Sequence, residues 1–251
     1  MHRRSVALIL VGGFGTRLRG VVADRPKALA EISGRPFLAW QLDMLATQGV
    51  RHAVLCTHYL SEMIEAEFPA GRQPNGMTLA YSREPEPLGT GGALRLGLEA
   101  APSAAELVLG VNGDTFCAFD LAGFQAAHQA AGARASLLLA PVDDIGRYGS
   151  VEAEADGRVT RFLEKAASGA VVRPGWINAG IYLLSRPLLA ALPLGQSVSI
   201  ERDVFPSWIG HGLYAHRGGS RFLDIGTPDS YRAAESYLAG ADRDGQAGPG
   251  L

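Results

Sequence analysis

The chain has 251 residues, 47% of them hydrophobic, and a formal charge of −2, which is length enough for a substantial core in one large α/β domain or two small ones. A near-neutral balance excludes a global attraction to nucleic acid or to a membrane surface, and no apolar run approaches the ~20 residues that a membrane helix needs. Two cysteines, Cys56 and Cys117, make no disulfide framework, and Met1-His2-Arg3-Arg4 leads into no cleavage pattern, so a cytoplasmic protein with buried free thiols is expected.

In chain order, Leu8-Ile9-Leu10-Val11 suits a buried strand and empties into Gly12-Gly13-Phe14-Gly15-Thr16-Arg17-Leu18-Arg19, with Arg25-Pro26-Lys27 close behind. Ala28 to Ile32 is a short apolar stretch before a Ser33–Pro36 turn, and Phe37 to Gln48 has helical spacing, stopped by Gly49. Strands are predicted at His52–Thr57, Met77–Ser82 and Leu107–Val111, with helices at Glu62–Phe68 and Gly91–Ala101 between them. Such alternation, with continuously apolar strands, predicts a parallel sheet covered on both faces, where ligands bind outside the strands' carboxyl ends. Beyond a helix at Leu121–Ala131 and a strand at Ala135–Val142 the pattern shortens to Ser150–Ala153, Val159–Leu163 and Ile177–Leu184, as in a mixed sheet. A short helix at Leu188–Leu192, another opened by Ser199-Ile200-Glu201-Arg202, and strands around Leu213–His216 and Phe222–Ile225 follow. Thr227-Pro228-Asp229 starts a last helix running to about Leu238. The reading is one domain over residues 1–240, then a disordered tail at 241–251 with no internal repeat.

Four constellations carry chemistry. In the first, glycines let backbone N–H groups approach an anion, and Arg17 and Lys27 neutralise it, as in a triphosphate cradle. A plain tight turn would share the glycines but has no use for cations at its tip. A Rossmann fingerprint needs a third glycine where Leu18 stands, and a Walker A loop needs Gly-Lys-Ser/Thr where Gly15-Thr16-Arg17 stands.

The second is Leu88-Gly89-Thr90-Gly91-Gly92-Ala93, either a helix start of poor propensity or a flat surface for a base or sugar ring, with Glu84 nearby to accept from a base amino group. The third is Asn112-Gly113-Asp114 at a strand end. An aspartate there often caps a turn, but an apolar strand delivering a carboxylate to the ligand-binding edge also builds a Mg²⁺ site, and Asp224 offers a second carboxylate in a similar setting. Asp143 and Asp144 are rivals in a polar loop. The fourth groups Gly149, Glu164 and Asn178, suited to sugar hydroxyls, with Lys165 for a second phosphate; surface pairs and turns explain each singly. The six histidines show no metal spacing; His58 at a strand end reads as a structural residue or as a pocket lining.

Taken together, Gly-Gly-x-Gly-Thr-Arg-Leu, Arg-Pro-Lys, Leu-Gly-Thr-Gly-Gly-Ala, Asn-Gly-Asp, Phe-x-Glu-Lys, Asn-Ala-Gly and Asp-Ile-Gly-Thr-Pro resemble the sugar-1-phosphate nucleotidylyltransferase family, in that family's order, from Leu8 to about Leu238. Within it, Asn-Gly-Asp-Thr at 112–115, Gly-Arg-Tyr-Gly-Ser and Trp-Ile-Asn-Ala-Gly are most similar to the D-glycero-D-manno-heptose 1-phosphate guanylyltransferases. Pro26-Lys27-Ala28 departs from a common Pro-Lys-Pro but keeps the lysine.

The resemblance implies a Rossmann-like three-layer αβα fold around a mostly parallel mixed sheet, and a Mg²⁺-dependent in-line transfer from a nucleoside triphosphate to a sugar 1-phosphate. Arg17 would hold the β- and γ-phosphates, Lys27 the α-phosphate, Asp114 and Asp224 the Mg²⁺, and Lys165 the sugar phosphate. Leu10, Gly12, Gly13, Gly15, Thr16, Glu84, Gly89, Thr90 and Gly91 would hold the nucleotide; Asn112, Gly149, Glu164 and Asn178 would read the sugar. Mannose, glucose or N-acetylmuramate 1-phosphate with GTP, UTP or dTTP stays open, as does a catalytically silent nucleotide-sugar sensor or regulatory subunit, and the oligomeric state is open between monomer and homodimer.

Overall fold

A computed structural model of the chain describes residues 5–15, 18, 22, 24–148, 150–163 and 173–244. The first half runs β1 (Val6–Leu10), a hairpin of β2 (Glu31–Ile32) and β3 (Arg35–Pro36), α1 (Phe37–Thr47), β4 (His52–Thr57), α2 (Ser61–Glu67), β5 (Gly71–Arg72), β6 (Thr78–Arg83), α3 (Gly89–Ala100) and β7 (Leu107–Asn112). The second half runs β8 (Thr115–Ala118), α4 (Leu121–Ala130), β9 (Ala135–Val142), β10 (Ser150–Ala153), β11 (Val159–Leu163), β12 (Gly175–Ser185), α5 (Arg186–Ala190), α6 (Phe205–Trp208), β13 (Leu213–Arg217), β14 (Ser220–Asp224) and α7 (Pro228–Asp244).

The sheet's parallel centre is β7-β1-β4-β6. The chain moves outward from β1 through β4 to β6 and returns to β7 on the other side of β1, which creates a switch point at the carboxyl ends of β1 and β7. Strand β12 closes antiparallel on β7 and carries β9, with β13 parallel to β9 beyond it. The mixed second half is therefore as expected.

The central strands β1 and β7 are nearly continuous apolar runs because both faces are covered. One face packs Leu38, Leu42 and Leu45 of α1, Ile64 of α2 and Phe124 of α4 against Ala7, Ile9, Leu109 and Val111. The other packs Ala93, Leu94 and Leu98 of α3, with Ile200, Val204 and Phe205, against Val6, Leu8 and Val108.

A third, smaller cluster decides where the site forms. Ile32, Phe37 and Trp40 meet Phe116, Leu223, Ile225, Ala234 and Leu238, so α7 and a separate two-stranded ribbon of β8 and β14 sit over the β2–β3 hairpin. Neither β8 nor its pairing with β14 is legible as a period in the sequence, since Thr115–Ala118 is only four residues long. The last helix also continues past the expected Leu238 to Asp244, so the 241–251 segment is helical over its first four residues.

Candidate active site

The phosphate end of the site is built where the chain is pressed closest together. Gly113 N–H donates to Leu10 O at 3.0 Å, and a Cβ at 113 would overlap that carbonyl, so only glycine lets the β7 turn lie against the end of β1. Gln41 of α1 braces the same turn, its Nε2 donating to Asn112 O at 2.9 Å and Thr115 O at 2.6 Å. The turn presents Asp114 to Lys27, whose Nζ lies 2.7 Å from Asp114 Oδ2. The ribbon then matters: Asp224 is in register with Thr115, and Ile225 N–H donates to Asp114 O at 3.0 Å. This places Asp224 Oδ1 3.9 Å from the same Lys27 Nζ, and Oδ1 also accepts from Gly226 N–H at 2.5 Å. Two carboxylates 110 residues apart thus face one nearly buried ammonium, which stands behind the glycine loop with its Cβ 3.5 Å from where a Gly15 side chain would start.

That loop opens a cavity of about 360 Å³. Of the residues expected to hold nucleotide or sugar, Leu10, Gly12, Gly13, Gly15, Lys27, Glu84, Gly89, Thr90, Asn112 and Asp114 line it. His58 and Phe14, not expected as binding residues, line it too. Glu84 is buried and its Oε2 accepts from Leu88 N–H at 2.9 Å. Burial pushes its carboxyl above the usual range, against the lowering effect of the Leu88 bond. Gly12 lies close beside it: a Cβ there would sit 3.0 Å from Glu84 Oε1 and from His58 N, tighter than an ordinary contact. His58 Nδ1 bonds Glu84 O at 3.0 Å, so both readings of that histidine hold at once.

The glycine-rich segment is a helix start, and it turns different residues to different neighbours. α3 starts at Gly89, and Gly91 and Gly92 N–H both donate to Val198 O, at 2.8 and 3.2 Å. A Cβ on Gly91 would come within 3.1 Å of Val198 O, and one on Gly92 would overlap Gln196 O. These two glycines admit the 196–198 backbone on the side away from the cavity; Gly91 does not line it. Gly89, Thr90 and Ala93 of the segment line the cavity.

Asn178 lies on β12 outside that cavity wall, its Oδ1 accepting from Gly180 N–H at 3.0 Å. Gly180, at φ +71°, presses on Asn112, whose Oδ1 is buried without a hydrogen-bond partner among the described residues. Thr16, Arg17, Gly149, Glu164 and Lys165 lie outside the described residues. Asp144 accepts from Gly146 N–H, capping its own turn, as a rival to Asp114 would if it were structural.

The donor chemistry at the phosphate end fits a hard cation. Asp114 and Asp224 supply oxygen only, and among the described residues no group of three or more His, Cys, Asp or Glu gathers to hold a metal alone. A carboxylate pair leaving positions for water and phosphate oxygens suits Mg²⁺. Among the described residues no helix is long and apolar enough to cross a membrane, and Cys56 and Cys117 are both free and buried.

Comparison with known proteins gives one consistent result. The nucleotidyl transferase family model matches residues 6–240. The D-glycero-alpha-D-manno-heptose 1-phosphate guanylyltransferase of Aneurinibacillus thermoaerophilus is 37% identical over 233 residues, 92% of this chain and 97% of its own. The mannose-1-phosphate guanylyltransferase catalytic subunit beta of Danio rerio is 38% identical over 227 residues, but this chain spans only 62% of that protein's length. Among solved structures, HddC from Yersinia pseudotuberculosis superposes with a TM-score of 0.79 at 31% identity, over 93% of this chain and 99% of its own, and a second structure of it is complexed with GMP-PN.

Proposed function

Because this chain belongs to the nucleotidyl transferase family, we propose that it transfers a guanylyl group from GTP to D-glycero-D-manno-heptose 1-phosphate, releasing pyrophosphate. The observation that carries the reading is the convergence of Lys27, Asp114 and Asp224 at the mouth of the glycine loop. A single in-line displacement needs little else, since the attacking phosphate oxygen is already ionised and requires no general base. Lys27 would leave Asp114 to neutralise charge growing on the α-phosphate. Asp114 and Asp224 would hold Mg²⁺, which when bound supplies charge neutralisation to the phosphate oxygens. Arg17 would grip the β- and γ-phosphates, and Lys165 the incoming sugar phosphate.

Guanine is supported by Glu84, a buried acceptor beside Gly12 suited to the N2 amino group that pyrimidines lack, and by the GMP-PN complex of HddC. The heptose acceptor is supported by the end-to-end match to the heptose enzyme of Aneurinibacillus thermoaerophilus. The unpartnered Asn112 Oδ1 suits a sugar hydroxyl donor, and in this reading Gly149, Glu164 and Asn178 would share that task. Mannose 1-phosphate on the same site is the second reading, favoured by the mannose-1-phosphate guanylyltransferases of Danio rerio and Mycobacterium tuberculosis. Two buried free thiols accord with a reducing cytoplasm.

The test is a grid of GTP, UTP and dTTP against heptose, mannose and glucose 1-phosphates with Mg²⁺, read by pyrophosphate release. The heptose–GTP pair should give the highest kcat/KM; mannose–GTP in first place favours the second reading, and silence throughout favours a nucleotide-sugar sensor.

A further inference from the structure

We propose that Glu201, which no motif singled out as a site residue, is a positioning residue that ties the nucleotide wall of the cavity to strand β12 behind Asn112, so that one carboxylate sets the geometry of both substrate sites; this rests on the guanylyl-transfer reading above. Each of its oxygens takes a hydroxyl from a different element. Thr90 Oγ1, in the first turn of α3, donates to Glu201 Oε2 at 2.8 Å. Tyr182 OH, on β12, donates to Glu201 Oε1 at 3.0 Å. Tyr182 oxygen accepts in turn from Asn178 Nδ2 at 3.1 Å.

Proton direction makes the carboxylate decisive. An ionised glutamate only accepts, so both hydroxyls must donate towards it. Tyr182 is fully buried, and burial together with the Glu201 charge holds its phenol protonated far above its ordinary range. With the Tyr182 hydrogen committed to Glu201, the phenol oxygen faces Asn178 as an acceptor, so the Asn178 amide must turn its Nδ2 inward. That leaves Asn178 Oδ1 for Gly180 N–H, and the positive-φ turn so held lies against Asn112 at the cavity, with no room for a side chain between them. On the other branch, Thr90 spends its hydrogen on Glu201 and accepts from Ile200 N–H at 2.8 Å. Its hydroxyl hydrogen is therefore consumed, and Thr90 offers a nucleotide no side-chain donor.

The chain around Glu201 is built to hold it. Residues Ile200–Val204 form a π-helical turn, a wide turn found mostly at functional sites. Ser199 caps it, with Oγ accepting from Arg202 N–H at 3.2 Å and N–H donating to Asp203 Oδ2 at 2.7 Å. Val198 N–H donates to Leu88 O at 2.8 Å while its carbonyl takes the Gly91 and Gly92 N–H groups. The segment before Glu201 is thus sewn to the helix whose first turn faces the nucleotide.

Three variants separate positioning from mere bracing: Glu201→Gln, nearly the same size but able to accept with only one oxygen, and the single-branch changes Thr90→Val and Tyr182→Phe. With steady-state kinetics and Tm measured on each, Glu201→Gln should raise the KM for both GTP and the sugar 1-phosphate about tenfold. Thr90→Val should raise only the GTP KM, and Tyr182→Phe only the sugar-phosphate KM. The Glu201→Gln/Tyr182→Phe double variant should be no worse for the sugar phosphate than Glu201→Gln alone. Both KM values within twofold of wild type in Glu201→Gln, or a lower Tm with no split between the branches, would overturn the proposal. Should Glu201→Gln fail to fold, the split between Thr90→Val and Tyr182→Phe decides alone. If wild type releases no pyrophosphate, the functional reading fails separately. Calorimetric GTP binding then tests the hub, with about tenfold weakening in Glu201→Gln and Thr90→Val but not Tyr182→Phe as the supporting result, and equal affinities in all four proteins as the overturning one.

Discussion

The two ends of the cavity are held by different physics. At the phosphate end, Lys27, Asp114 and Asp224 satisfy one another by charge, and Asp114 keeps 38% of its side chain exposed. At the base end, Glu84 is buried with 8% exposed and is fixed by a backbone N–H, next to a glycine where a side chain would crowd it. On the proposed reading the first arrangement is provisional: an ammonium held by two carboxylates would trade partners when a polyphosphate and a cation arrive together. The second needs no such exchange. Charge would do the transfer, and a preformed wall the choosing.

That contrast can be broken from the charged end first. Chelation with EDTA should lower pyrophosphate release by on the order of 10² or more, with recovery on adding Mg²⁺, because the phosphate oxygens lose their neutralising ion. Asp114→Asn and Lys27→Ala should each lower kcat by on the order of 10²; turnover within tenfold of wild type removes that residue from the chemistry. At the base end, Glu84→Gln keeps the Leu88 bond but loses the charge, so the KM for GTP should rise by about tenfold while kcat changes little. The pH profile sharpens this. With its carboxyl held above the ordinary range, Glu84 takes up a proton sooner than an exposed carboxylate, so on acidification the KM for GTP should begin to climb earlier in the wild type than in Glu84→Gln. The smallest effect is structural. Gly92→Ala would drive a Cβ into Gln196 O, and should cost about 1–3 kcal/mol of stability, read as a lower Tm.

Legibility follows the same division. Parallel strands such as Leu107–Asn112 are continuous apolar runs, and a strand of that kind ending in Asn-Gly-Asp announces both the sheet and its ligand edge. The glycine loop with Lys27 is readable because cations at a loop tip have no structural use. Asp224 was nominated by type and setting, but its partnership with Asp114 depends on β8, four residues whose strand character exists only because β14 returns to pair with them. Gly91 was read as facing a ligand, whereas it faces Val198, a contact 107 positions away that no local spacing encodes. Glu201 was visible only as part of a helix start. Its partners, Thr90 and Tyr182, are brought to it by tertiary packing alone.

The claim at the centre, that Lys27, Asp114 and Asp224 serve one metal-bound polyphosphate, is most directly tested by a crystal structure with GTP and Mn²⁺, the manganese located by its anomalous scattering. The account predicts manganese held by the Asp114 and Asp224 carboxylates, and Lys27 Nζ moved from Asp114 to a phosphate oxygen. Manganese held elsewhere, or Lys27 still paired with Asp114 beside a bound nucleotide, would contradict it.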